Sequence, residues 1–342
     1  MKKADKILFA AQDPGGFNSL VSVIKVLKSR GADIKVFLAN ESCLIAKKSK
    51  INFLDCGNFS EKRLEMAFNK FNPRAVVTAT SFGLSLDKKI LKLAKKREVP
   101  AISVVDFWSN YKVRFSNPGK EDPAYLPNVI CVIDENMKNG MEKDGFNKKI
   151  LCITGNPFFD GFKKTPKAKE AYFLFVSQPF SELGISALDE GKIFKDFVDS
   201  LTEIKVKIPV IIGFHPREKN KGKFKEIISS ANIKIKISKK SGDDLVDNAK
   251  IVLGINSMAL FCAAIKGKKV VSYQPGIKKE NDILISNRLG LSEAVYSFNK
   301  LGETINNLLK KEGNQKKLGK IRKKYVENNS TQRVIKVIAS IV

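Results

Sequence analysis

Gly155-Asn156-Pro157-Phe158-Phe159-Asp160-Gly161-Phe162-Lys163-Lys164-Thr165-Pro166-Lys167 breaks an otherwise regular alternation of short apolar runs and helical patterns. Its glycines, prolines and lysines read as a linker between two domains. On its N-terminal side the strand candidates are Lys6 to Ala11, Ile34 to Ala39, Ala75 to Ala79, Ala101 to Val105, Val129 to Ile133 and Ile150 to Thr154. On its C-terminal side they are Ala171 to Ser177, Pro209 to Phe214, Ile233 to Ile237, Ile251 to Ile255 and Val270 to Tyr273. Strands alternating with helices are the mark of βαβ units and a parallel sheet. Between the first two strands, Leu20, Val23, Ile24 and Leu27 mark one helix face and Gly31 supplies the stop. The predicted fold is α/β, with Rossmann-like βα domains at 1–160 and 168–342 and closing helices in Leu301 to Val342. Two such domains are expected to face each other across a cleft, the default ligand site, because the C-terminal strand ends of both would open into it.

A chain of 342 residues with 43% hydrophobic content has material for two cores. The net charge of +27 favours anionic partners, and it admits peripheral contact with an anionic membrane. Lysines are nevertheless spread over nearly every predicted element, as on a solvated surface, and aromatics do not cluster with them on one face. That argues against nucleic acid as the partner. The five cysteines (Cys43, Cys56, Cys131, Cys152 and Cys262) show no CxxC spacing and read as small apolar residues in a reducing compartment. No stretch approaches 18 apolar residues, and Ile7 to Ala11 is too short for a signal sequence, so a cytoplasmic protein is expected.

Three constellations stand at predicted strand ends. After the first strand, Gln12-Asp13-Pro14-Gly15-Gly16-Phe17-Asn18 opens a helix. Gly15 and Gly16 there allow close backbone approach, and the helix start offers N–H groups to an anion or hydroxyl, or Asp13 simply caps it. In the second half come Ser177-Gln178-Pro179, His215-Pro216-Arg217-Glu218 and Gly254-Ile255-Asn256-Ser257-Met258, each switching from apolar to small or polar residues. His215 is the sole histidine. Together they suit a nucleotide phosphate, with Asn256 and Ser257 capping the helix that follows. The third, Asp106-Phe107-Trp108-Ser109-Asn110-Tyr111-Lys112-Val113-Arg114, holds the sole tryptophan. Rings that stack on apolar faces beside Asn and Arg groups suit a sugar, and a loop anchored by core aromatics fits equally well.

Other chemistries find little support. There is no nucleophile elbow, no Walker A motif and no second histidine for a His-rich metal site. Gly242-Asp243-Asp244-Leu245 reads as a helix start rather than a cation site.

The glycine loop after strand one, Thr154-Gly155-Asn156-Pro157, and Phe214-His215-Pro216 followed by Gly254-Ile255-Asn256-Ser257 together resemble the GT-B superfamily of nucleotide-sugar enzymes. The His-Pro pair with a later Ser resembles bacterial sialyl-, polysialyl- and Kdo transferases and CDP-glycerol glycerophosphotransferases. Thr-Gly-Asn-Pro looks more distantly like the non-hydrolysing UDP-N-acetylglucosamine 2-epimerases, whose Asp-Ser-Gly-Gly motif is replaced here by Asn256-Ser257-Met258-Ala259. The resemblance implies a metal-independent glycosyltransferase without a cofactor, moving a sugar from a nucleotide-activated donor to a polysaccharide or glycolipid acceptor. On that reading Asp13 is the first choice of base and Asp106 the second. Ser177, Gln178, His215, Pro216, Arg217, Gly254, Asn256, Ser257 and Met258 hold the nucleotide phosphate, and Gly15, Gly16, Trp108, Asn110 and Arg114 hold the acceptor. The alternatives are a nucleotide-sugar 2-epimerase or hydrolase, which should carry more acid/base groups, and a non-enzymatic basic binding protein. The oligomeric state stays open.

Overall fold

A computed structural model describes residues 5–162, 171–183, 188–215, 218–240, 242–310 and 315–342. The chain divides into two compact units, Met1–Phe162 with Lys323–Val342, and Lys163–Arg322.

The first unit is built on seven strands: β1 (Lys6–Ala11), β2 (Asp33–Leu38), β3 (Leu54–Asp55), β4 (Ala75–Thr78), β5 (Ala101–Val104), β6 (Val129–Val132) and β7 (Leu151–Ile153). They lie in the order β3-β2-β1-β4-β5-β6-β7, with parallel pairing at each step. β1 shows why a continuous apolar run was the right signal. Ile7, Phe9 and Ala11 enter one core with the helix Pro14–Ser29, while Leu8 and Ala10 enter a second with Leu64, Phe68 and Ile90. A strand covered on both faces has no polar side to alternate with.

The second unit contains β8 (Tyr172–Val176), β9 (Val210–Gly213), β10 (Ile235–Ile237), β11 (Ala249–Gly254), β12 (Lys269–Tyr273) and β13 (Glu293–Val295), ordered β10-β9-β8-β11-β12-β13 and again parallel. Both sheets therefore have Rossmann-like order, with a switch point between β1 and β4 in one and between β8 and β11 in the other.

Two expectations need correction. The stretch read as a linker is structured in its first half: Pro157–Gly161 forms a 3-10 turn inside the first unit, with Phe159 fully buried. Lys163 to Lys167 lie outside the described residues. The second domain was expected to run to residue 342, yet Lys323–Val342 belongs to the first unit. The cause is local. Asp160 accepts from the backbone N–H groups of Ser330 (3.0 Å) and Thr331 (2.6 Å), capping the helix Ser330–Ala339 from 170 residues away. That helix buries Val334, Ile335 and Ile338 in the same core as β1. Gly155, at φ +81, leaves room for Ser330, whose hydroxyl a Cβ there would strike.

No described helix is long and apolar enough to cross a membrane. The five cysteines are free thiols.

Candidate functional site

In the second unit, the segments leaving β8 and β11 flank the switch point. Gln178 and Asn256 face each other there: the Asn256 backbone N–H donates to Gln178 Oε1 at 2.9 Å, and Gln178 Nε2 donates to Asn256 Oδ1 at 3.3 Å. This reciprocal pair fixes the loop that presents Ser257, the N-cap residue of the helix Met258–Ile265. The Ser257 hydroxyl makes no capping bond and is buried without a hydrogen-bond partner among the described residues. A buried polar group left unpaired costs about 1–3 kcal/mol, and at a helix start such a hydroxyl stands beside N–H groups that suit an anion. Met258 is partly exposed at the first helical position.

Other members of the predicted phosphate set have different roles. The Ser177 hydroxyl is buried and donates to Glu218 Oε1 at 2.8 Å. A Cβ at Gly254 would sit 2.9 Å from the Val176 carbonyl oxygen, so this glycine serves the β8–β11 packing. His215, partly exposed, begins the loop after β9. Its backbone N–H donates to Glu218 Oε2 at 3.4 Å, and its carbonyl accepts from the Glu218 N–H at 2.9 Å. Pro216 and Arg217 lie outside the described residues. Glu218 closes the loop, and sequence reasoning assigned it no part. It is 4% exposed, and burial pushes its carboxyl up to about 6 against the opposing bonds from Ser177 and the His215 N–H.

Glu218 also stands with Glu182 and Glu190, their nearest oxygens all within 4.8 Å of one another. These carboxylates are already engaged. Lys223 and Ser181 hold Glu190, and the backbone N–H groups of Lys219 and Asn220 donate to Glu182. A cation there would displace the ammonium that neutralises the group, so the cluster reads as an internal ion-pair network. Of the Asp243-Asp244 pair, the backbone lies in the short helix Gly242–Leu245, as a helix start requires.

In the first unit, Asp106 follows β5 and leans over the start of the helix Pro14–Ser29. A Cβ at Gly15 would come within 2.6 Å of Asp106 Oδ2, and one at Gly16 within 2.7 Å of the Ala79 methyl. The two glycines therefore make room for protein groups, and the helix start is faced by an internal carboxylate rather than an open anion site. Arg114 is buried and pairs with Asp106 Oδ1 at 2.9 Å; it also donates to Thr80 Oγ1 and the Ser109 carbonyl. Its assignment to acceptor binding gives way to one of holding Asp106. Trp108 is 4% exposed and donates from Nε1 to Asp134 Oδ1 at 3.0 Å, with Tyr325 edge-on at 6.0 Å. It is a core anchor, and the stacking platform expected of it is not available. Asn110 is exposed at φ +57, opening the short helix Tyr111–Phe115.

Asp13 is the N-cap residue of its helix, yet its side chain makes no capping bond. Its neighbour Gln12 accepts from the Leu86 N–H at 3.1 Å, tying this turn to the start of the helix Leu86–Lys96. That helix start carries two buried charged side chains that the sequence concealed inside an ordinary Ser-Leu-Asp-Lys opening. Asp87 is 1% exposed, its carboxyl enclosed beside the Ser81 and Ser85 hydroxyls. Burial raises its carboxyl to about 7, the charge of Asp13 adding to the effect and the serine hydroxyls opposing it. Lys88, also 1% exposed, donates from Nζ to the carbonyls of Gly83 (2.7 Å) and Val113 (2.9 Å), and burial lowers its pKa.

A separate cavity of about 420 Å³, lined by Leu91, Val99, Pro100, Leu126 and Pro127, opens at the N-terminal ends of β5 and β6. It lies at the opposite strand ends from the groups above, where open α/β sheets do not place their chemistry.

No protein-family model matches the sequence, and no curated protein matches it. Solved structures do. The chain is 16% identical to the UDP-GlcNAc 2-epimerase of Methanocaldococcus jannaschii, covering 98% of this chain and 99% of that one with a TM-score of 0.72. It is 14% identical to the UDP-GlcNAc 2-epimerase of Neisseria meningitidis bound to UDP-GlcNAc, over 98% and 100% of the two chains, again at 0.72. Against MurG of Acinetobacter baumannii it is 13% identical over 98% and 99%, with a TM-score of 0.58. The two parallel sheets of this chain thus have the GT-B type fold expected from its sequence, the fold of the UDP-GlcNAc 2-epimerases and of MurG.

Proposed function

We propose that the chain is an enzyme acting on a nucleotide-activated sugar, with the nucleotide phosphate received at the switch point of the second unit. The observation that carries this reading is the buried Ser257 hydroxyl, without a partner among the described residues, at the start of the helix Met258–Ile265 and framed by the Gln178–Asn256 pair. Phosphate oxygens would accept hydrogen bonds from that hydroxyl and from the helix N–H groups, with His215 and, from the sequence, Arg217 as further donors. No cofactor or divalent ion enters this reading.

Within the class, 2-epimerisation or hydrolysis is preferred over the glycosyl transfer expected from the sequence. Inverting a C–H centre takes a base that removes the proton from one face and an acid that returns one to the other. The scarcity of such groups in the sequence weighed against an epimerase, and Glu218, with its carboxyl raised to about 6, now adds one beside His215. In the first unit Asp13 is kept as the first choice of base and Asp106, which Arg114 holds at 2.9 Å, as the second. The full-length likeness to two UDP-GlcNAc 2-epimerases supports the same choice. Glycosyl transfer remains the second reading, supported by the likeness to MurG, and it would bring a glycan or glycolipid acceptor and contact with an anionic membrane.

The deciding experiment incubates the protein with UDP-GlcNAc in D2O without any acceptor. Deuterium appearing at C2 of the sugar, or release of UDP, supports epimerase or hydrolase chemistry. An unchanged substrate that turns over only when a glycan or glycolipid acceptor is supplied returns the reading to glycosyl transfer.

A further inference from the structure

We propose that the Phe82 ring is a stacking platform for a pyranose ring in the first unit, the role that the buried Trp108 does not fill. The proposal deepens the reading of this chain as an enzyme of activated sugars, and it rests on that reading only for which sugar arrives.

Phe82 lies in the turn that leaves β4, the neighbour of β1 at the switch point of the first sheet, where open α/β sheets gather their ligands. It is 43% exposed, the one Phe, Tyr or Trp among the described residues with an exposed side chain. Leu84, two residues on, is 51% exposed, so the turn shows an apolar edge to solvent. Covering such an edge with a ligand removes apolar surface from water.

The ring is held in place. The Arg114 guanidinium stands over it, with Cζ 5.2 Å from the ring centroid. Arg114 is itself buried and bonded to Asp106 Oδ1 at 2.9 Å, Thr80 Oγ1 at 3.0 Å and the Ser109 carbonyl at 3.2 Å. The backbone that carries Phe82 is clasped as well: the buried Lys88 ammonium donates to the Gly83 carbonyl at 2.7 Å and to the Val113 carbonyl at 2.9 Å. Lys88 thereby ties this turn to the helix Tyr111–Phe115, which carries Arg114. Gly83, at φ +69, supplies the left-handed step in the turn. A ring whose tilt is set in advance loses little rotamer freedom when a ligand covers it.

The surrounding groups select the occupant. One face of a pyranose is a plane of C–H groups, and its rim carries hydroxyls, so it needs an apolar plane with polar groups beside it. Phe82 gives the plane. Arg114 links that plane to the partly exposed Asp106 and to Ser109, whose hydroxyl is buried without a hydrogen-bond partner among the described residues. A carboxylate accepts from sugar hydroxyls, and a serine hydroxyl donates to them or accepts. A lipid chain on the same plane would desolvate these groups and offer them nothing in return.

The test reads ring resonances of the whole protein labelled at its phenylalanines, with Phe82 assigned by its loss in Phe82→Leu. UDP, UDP-GlcNAc and the GlcNAc trisaccharide chitotriose are titrated into the millimolar range. UDP-GlcNAc or chitotriose should shift the Phe82 resonance while UDP does not, and whichever of the two does so names the source of the ring. Calorimetry should show the affinity for that probe falling by about tenfold in Phe82→Leu and staying near wild type in Phe82→Trp, with UDP affinity equal in all three proteins. A Phe82 resonance unmoved by both sugar-bearing probes, one moved equally by UDP, or undiminished sugar affinity in Phe82→Leu overturns the proposal. Loss of binding to anionic vesicles in Phe82→Leu with sugar affinity kept also overturns it, and makes a bilayer the occupant. Failure of UDP to bind while chitotriose shifts Phe82 leaves this inference standing and removes the nucleotide reading.

Discussion

Replacing Asp87 by asparagine keeps the shape of a fully buried side chain and removes its titration. In the folded protein the carboxyl is raised from 3.8 to about 7, chiefly by burial. The folded state therefore binds this proton more tightly than the unfolded chain does, and the associated stability is fully present below about pH 4. It is lost progressively as pH rises toward 7, and it stays lost above. One pH unit of differential titration is about 1.4 kcal/mol, so the whole window is worth about 4 kcal/mol. That is a large share of the 5–15 kcal/mol typical of a folded domain. Glu218 contributes with the same sign over a narrower span, from 4.5 to about 6, and cancels when the two proteins are compared. Urea unfolding of wild type and Asp87→Asn between about pH 4 and pH 8 measures the effect. Wild type should lose stability relative to the variant by about 4 kcal/mol over that range, whatever constant offset the asparagine amide introduces. Parallel curves would refute the account of Asp87 as a buried, protonated group.

Three further outcomes are expected. Ser257→Ala should weaken UDP binding by about 1.5–3 kcal/mol, one hydrogen bond to a charged group, while leaving the free protein as stable or more stable, because the hydroxyl has no partner among the described residues; calorimetric titration paired with thermal unfolding separates the two effects. Gly15→Ala forces a methyl group into Asp106 and should cost about 1–3 kcal/mol, with turnover falling further as the Asp106–Arg114 pair shifts; denaturant unfolding and a turnover assay at matched temperature read the two parts. Asp160→Ala removes the cap on Ser330–Ala339 and should cost about 0.5–2 kcal/mol, with faster amide exchange in that helix and UDP affinity unchanged.

The strands were readable because residues buried on both faces of a sheet must be apolar, as Ile7 to Ala11 of β1 and all of β8 are. β3 and β13 escaped notice because Leu54-Asp55 and Glu293-Ala294-Val295 are two- and three-residue strands at sheet edges, too short to leave a pattern. The return of the C-terminal helix was hidden for another reason: its cap is Asp160, 170 residues upstream, and no local signal connects them. The apolar-to-polar switches located strand ends, but they could not say which polar groups the protein consumes itself. Ser177 is taken by Glu218 across 41 residues, and Gln178 by Asn256 across 78. Trp108 and Arg114 looked like ligand-facing residues until Asp134 and Asp106 claimed them. Asp87 and Lys88 went unseen because a helix opening of Ser-Leu-Asp-Lys is ordinary, and only burial makes it otherwise.

The central claim is that the second unit receives a nucleotide phosphate at the Ser257 helix start. Titration of UDP into the whole protein by calorimetry, with EDTA present, and into Ser257→Ala tests it most directly. The account predicts saturable binding that survives chelation and weakens by about tenfold or more in the variant. Binding of UDP with equal affinity by both proteins, or binding that disappears with EDTA and returns with a divalent ion, would contradict it.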